Sequence, residues 1–435
     1  MRGWIGATAL LTFLVACSAG TVPWLAATAG AFRPPDFAQD VAGARAFANG
    51  EDPYGGNVAA RHAAVLGVNA SEGYAYLPHP PFAILLATSL SHFSFTAAAR
   101  YWFAASVALC FVLAAILAGL LTSDTGRRLP KPWHTLIAFI ALLLWPPVLY
   151  NLEKGQFSIL LAVLMAIAWR SLEHRDSSIG GLWLGLAAAV KVFPALMAAL
   201  LLFRRRRAAI SLTIVAVAAT TLPCFWIGLH MLPEFVGQSA GNLSYWQTWP
   251  AVTYSFHGLA ARTFVGSEWS RAIVRAPAAA TAIGVVVSVM LVGIASRATL
   301  HCVSDHCEAV LFAIWCILLV TLNPLAMGHN GVLLALPIVL IGKALADDSR
   351  VWPKFLWSAG CVLVSIPRQT IFALAPLPVT PARSFAVVAL PLWGTLLLFS
   401  AGIAIASARA AADRMTARLT GVSLKLSVEK QAENM

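Results

Sequence analysis

Apolar runs of about 20 residues recur from one end of this 435-residue chain to the other. That is the length an α-helix needs to cross roughly 30 Å of hydrocarbon. A helix suits lipid because it satisfies its own backbone hydrogen bonds. Hydrophobic residues make up 59% of the chain and charged ones 11%, against about 25% charged in a soluble domain. The expected class is therefore an all-α polytopic membrane protein of one domain, residues 1–408, with a basic tail at 409–435. Spans are expected at 5–30, 80–95, 98–121, 133–150, 156–171, 178–203, 208–228, 276–296, 308–322, 331–346, 355–375 and 385–408, twelve in all.

The net charge of +12 does not point to nucleic acid, because the basic residues concentrate in short loops and the tail, as the positive-inside bias places them. With the N-terminus inside, twelve crossings put Arg204–Arg207, Arg297, the Lys343, Arg350 and Lys354 loop and the tail in the cytoplasm. They leave Arg127, Arg128 and Lys131 outside, against that bias. If the 80–95 segment dips in and returns, every later loop changes sides. Leu14-Val15-Ala16-Cys17 resembles a lipoprotein processing site, yet the apolar run continues to about Phe32, so a retained first helix is expected. Most cysteines sit in spans, where a thiol behaves as a small apolar group. HCVSDHC, residues 301–307, has no zinc-ligand spacing and reads as a loop between spans.

One polar island interrupts the apolar pattern. Residues 33–80 carry Asp36, Asp40, Glu51, Asp52 and Glu72, five of only eighteen acidic residues. The island is an expected structured loop on the extracytoplasmic face. Its ARAFANG segment reads as a helix ending at Gly50, with a turn beginning at Asp52-Pro53. Asp36 and Asp40, four apart, would share a helix face.

Basic and polar groups at awkward depths complete the candidate set. Lys191 lies near the middle of the 178–203 run, where a charge is costly and functional by default. Arg368 would sit about 20 Å along a helix from Lys354. His329 follows the Asn323-Pro324 turn, and Gln156 lies at the break in NLEKGQFS. Carboxylates beside cations near a membrane boundary suit sugar transfer from a lipid-linked phosphate. One carboxylate takes the acceptor proton, and Lys, Arg or His stabilise the leaving phosphate. No cofactor is required; were a divalent cation used, Asp36 and Asp40 would be the acidic ligands.

DFAQDVAGARAFANGEDPY resembles the first-loop signature of the family 87 glycosyltransferases, a membrane GT-C group. The resemblance continues through YAYLPHPPFAILL, NLEKGQFSILLAVL, GGLWLGLAAAVKVFPALMAALLLFRRRRA and NPLAMGHNGVLLALP. It implies a GT-C-like bundle of about twelve helices in the cell membrane and inverting transfer on the outer face. The implied donor is a polyprenyl-phosphate sugar, most often mannose, and the acceptor a glycolipid, glycan or protein. It assigns the base to Asp36 and carries over His329 and Lys191; Arg368 and Gln156 join them as candidate donor-phosphate or substrate residues from the reading of the residues alone. Two departures stand out: Asp40 occupies a position where an aromatic is common, which keeps it as a rival base, and Met327 replaces a frequent Trp. A transporter or lipid flippase is the competing function; it predicts charges gathered at the midplane and repeat symmetry.

Overall fold

The computed structural model describes residues 34–66, 77, 79–122, 131–173, 177–302 and 304–433, with the side chains of 35, 59, 177, 242, 244, 245 and 416–433 left aside. The first expected span, Cys17, Glu72, Arg127 and Arg128 lie outside these residues.

The described chain is helical throughout, without a strand. Helix α1, Pro35–Ala48, forms within the polar island, and α2, Pro81–Thr88, follows it. Helix α3, Phe95–Thr122, is the first long apolar one. A bent pair follows, α4 at Pro132–Leu143 and α5 at Pro146–Lys154, turned 67° at Leu144–Trp145 before the two prolines. Then come α6, Ser158–Glu173, α7, Ser177–Val190, α8, Met197–Arg204, and α9, Arg206–Thr221. After a connection that holds helices at Met231–Gln247 and Phe256–Phe264 come α10, Pro277–His301, α11, Glu308–Leu322, and α12, Ala335–Ala346. Helices α13, Val351–Val364, and α14, Arg368–Leu374, form a second bent pair at 80°, and α15 runs from Leu390 to Glu433. Among the described residues six stretches are long and apolar enough to cross a membrane, or eight if each bent pair is one span. The chain is a multi-pass membrane protein; the described helices do not reach the twelve crossings expected.

Two expected spans take a different form. Helix α2 has eight residues, about 12 Å of rise, too little for a crossing. Both sides of it are tied to α1: His79, before it, bonds Asp40, and Arg45 donates to the Ser91 and Phe93 carbonyls after it at 3.2 and 2.9 Å. The segment therefore stays at one end of the bundle.

The 178–203 run is not one span either. Its helix stops at Val190, and the chain restarts as a 3-10 turn at Phe193–Leu196. Pro194 explains the break, because its ring clashes with the carbonyl four residues back, that of Val190. Gly181, near the start, packs against Ala208, four residues past Arg204 at the finish. The run goes out and comes back, with Lys191 at its tip rather than in mid-span.

These two changes offset each other. At one end of the bundle, Arg204 donates to the Cys302 carbonyl at 3.1 Å, Arg205 pairs with Glu308 at 2.7 Å, and Arg350 reaches the Ala404 carbonyl at 3.3 Å. Arg409 joins them by donating to the His306 carbonyl. Lys131 opens α4 at this same end, because the 28 residues of α3, about 42 Å, carry the chain away from α1. Lys131, which the expected topology set on the other side, is thus gathered with these basic residues. Cys302 and Cys307 also lie here, side by side with Cα atoms 6.0 Å apart.

Candidate functional site

The opposite end holds the polar island and the expected site residues. Asp36 lies in the first turn of α1, after Pro34 and Pro35. Proline suits that position, and a carboxylate there complements the helix dipole. The helix ends as the sequence suggests: Gly50 has φ +75°, and the Tyr54 amide donates to Asp52 Oδ1 at 2.9 Å.

Packing sets Asp36 against the α5–α6 break. Phe37 stacks on Trp102 at 5.7 Å, and Trp102 meets Phe157 edge-on at 4.9 Å. The Trp102 indole donates to the Gly155 carbonyl at 2.7 Å. Gly155 has φ +69°, and a Cβ there would lie 2.6 Å from Cβ of Phe37. Only glycine both adopts that conformation cheaply and lets α1 come so close.

That approach produces the central contact. Gln156 Nε2 donates to Asp36 Oδ2 at 2.8 Å, and Lys191 Nζ donates to Gln156 Oε1 at 2.7 Å. The ammonium can only donate, so it orients the amide with its nitrogen toward the carboxylate. Among the described residues no donor occupies Asp36 Oδ1. The side chain is half-buried, whereas Asp40 is completely buried. Asp40 Oδ1 lies 2.5 Å from His79 Nδ1, and the Tyr54 hydroxyl donates to the His79 carbonyl at 2.6 Å. The two carboxylates on one helix face thus have different partners, while both lie within electrostatic reach of Lys191.

Arg368 and His329 converge on Tyr150. The Arg368 guanidinium lies 4.9 Å from the centres of the Tyr150 and Phe372 rings and 3.5 Å from Glu153 Oε1. The His329 ring is 5.9 Å from that of Tyr150, and its buried Nδ1 has no hydrogen-bond partner. Asn323 accepts from the Leu325 amide at 3.1 Å, and Ser158 donates to Asn330 at 3.2 Å, which fixes the turn that carries His329. Tyr150, Glu153 and His79 were not among the sequence candidates. Their signal was a polar side chain inside a proline-rich or apolar motif, PPVLYNLEK and LPHPP.

Asp36 and Asp40, the expected acidic pair for any cation, are separately committed. A different trio has ligand atoms within 4.8 Å of one another: Asp52, His230 and Glu234. Burial and the nearby Asp52 push the Glu234 carboxyl up from its ordinary range. Behind the Asp36–Gln156 pair lies an apolar cavity of about 410 Å³, with Phe37, Trp102 and Phe157 in its wall.

A family model described as Glycosyltransferase family 87 matches residues 76–337. The match includes His79, Gln156, Lys191 and His329; Asp36, Asp40 and Arg368 lie outside it. A search of curated proteins found no match.

Proposed function

Because the chain belongs to glycosyltransferase family 87 and is a membrane glycosyltransferase, we propose that it moves a sugar, mannose foremost, from a polyprenyl phosphate to an acceptor hydroxyl with inversion. The acceptor oxygen attacks the anomeric carbon while the bond from that carbon to the phosphate oxygen breaks. The acceptor proton passes to Asp36 Oδ1, and the electron pair leaves with the polyprenyl phosphate. A phosphate leaves readily, so one base suffices, unlike the carboxyl pair of glycoside hydrolysis. The balance needs no metal.

The observation that carries this reading is the Lys191–Gln156–Asp36 chain of hydrogen bonds. It aims one carboxylate and leaves an oxygen of it open at the bundle end. Asp40 is the weaker base, since it is fully buried against His79. Lys191 and Gln156 become positioning residues of Asp36 in place of donor ligands. Arg368 and His329, both beside Tyr150, remain the groups for the leaving phosphate, where positive charge and N–H donors favour the transition state. The positive-inside bias supports a cytoplasmic basic end and, with it, a site on the outer face of the cell membrane.

Purified protein supplied with a panel of labelled polyprenyl-phosphate sugars tests the proposal. Transfer to a glycolipid, glycan or protein acceptor is expected, with mannose preferred and the anomeric configuration of the product inverted. Movement of the intact lipid across vesicles without transfer would contradict it.

A further inference from the structure

The Asp40–His79 pair has no part in the mechanism above, yet it is built with care. A fully buried carboxylate is expensive without a partner, and Asp40 lies on α1 one turn beyond Asp36. Its partner is held from three sides. Asp40 takes His79 Nδ1, the Tyr54 hydroxyl takes the His79 carbonyl, and the imidazole sits edge-on to Phe157, the neighbour of Gln156, at 5.2 Å.

Only Nε2 is left. Among the described residues nothing bonds it, and the side chain as a whole is only 3% exposed. His79, Lys154 and Lys191 all act electrostatically on His329, so this nitrogen shares the neighbourhood of the proposed phosphate ligands. With Nδ1 taken by Asp40, Nε2 is the ring nitrogen that can meet a ligand, and in the protonated ring both nitrogens are donors.

We propose that His79, held at Nδ1 by Asp40, donates from Nε2 to a phosphate oxygen of the lipid-linked donor. The proposal rests on the glycosyl-transfer reading. It makes His79 a catalytic residue for the leaving group and Asp40 its positioning residue. No bond to His79 forms or breaks; its hydrogen bond strengthens as charge builds on the departing oxygen.

Undecaprenyl phosphate, the bare lipid phosphate, is the probe, with full-length protein in nanodiscs. His79→Phe should bind it about ten- to hundred-fold more weakly, the loss expected for one hydrogen bond to a charged group. The KM for the donor should rise while that for the acceptor stays put. His79→Gln, which keeps an N–H donor, should recover most of the affinity, and Asp36→Asn should bind like the wild type. A second measurement needs no variant: in the unmodified protein, undecaprenyl phosphate should protect His79 from diethylpyrocarbonate. Unchanged binding in His79→Phe, no rescue by His79→Gln, or undiminished modification of His79 in lipid-saturated protein would overturn the contact. Wild-type protein that does not bind the probe would overturn the donor reading itself, and this contact with it.

Discussion

Lys191 Nζ donates to Gln156 Oε1 at 2.7 Å, and that contact decides which end of the Gln156 amide faces Asp36. Lys191→Met should therefore lower kcat about ten- to hundred-fold with little change in the donor KM, because the loss falls on the aim of the base. Steady-state kinetics of the purified variant check this. A selective rise in the donor KM would instead make Lys191 a phosphate ligand.

Gly155 sets the distance between α1 and Gln156. Gly155→Ala places a methyl group 2.6 Å from Cβ of Phe37 at φ +69°. The left-handed backbone alone costs about 1–2 kcal/mol, and the clash moves Asp36 away from its partner. Both the midpoint of thermal unfolding and the transfer rate should fall, with the rate falling further than the loss of folded protein explains.

Asp348 offers a stability test away from the site. Hydrogen bonds from the Arg350 side chain, at 2.6 and 3.0 Å, hold its carboxyl down to about 2, against about 3.9 in an unfolded chain. Since the folded value is the lower one, the pair contributes fully above pH 4 and fades as pH drops from 4 toward 2. Asp348→Asn should lower the unfolding midpoint at pH 6, and the gap from the wild type should narrow across that window.

Cys302 and Cys307 lie side by side at the basic end, which gives the topology a direct check. In cells, cytoplasmic thiols stay reduced, so both cysteines should be alkylated by a permeant maleimide and spared by an impermeant one. A persistent disulfide in intact cells would place that end outside and reverse the orientation.

Five of the residues that form the site region stand out in the sequence for one physical reason: in a chain with so few charges, Asp36, Gln156, Lys191, His329 and Arg368 each interrupt or border an apolar run. Their grouping was less legible. Hydropathy passes through residues 178–203 without a break, so Lys191 reads as a mid-span charge; only Pro194 signalled that the helix would end at Val190. The 80–95 segment is as apolar as a span, and its short helix follows from ties to α1 through Asp40 and Arg45. The Asp40–His79 contact joins residues 39 apart, and no local pattern encodes such a pairing. It was the fold that separated Asp36 from Asp40, by giving one an amide partner and the other a buried imidazole.

The central claim is that Asp36 takes the acceptor proton. The direct measurement is transfer of labelled sugar from polyprenyl-phosphate mannose by purified Asp36→Asn, beside Asp40→Asn and the wild type, each shown to be folded. Removing a general base costs about 10²- to 10⁴-fold. Asp36→Asn should lose transfer on that scale while still binding undecaprenyl phosphate, and Asp40→Asn should retain more activity. Wild-type rates in Asp36→Asn, or a collapse confined to Asp40→Asn, would contradict the assignment.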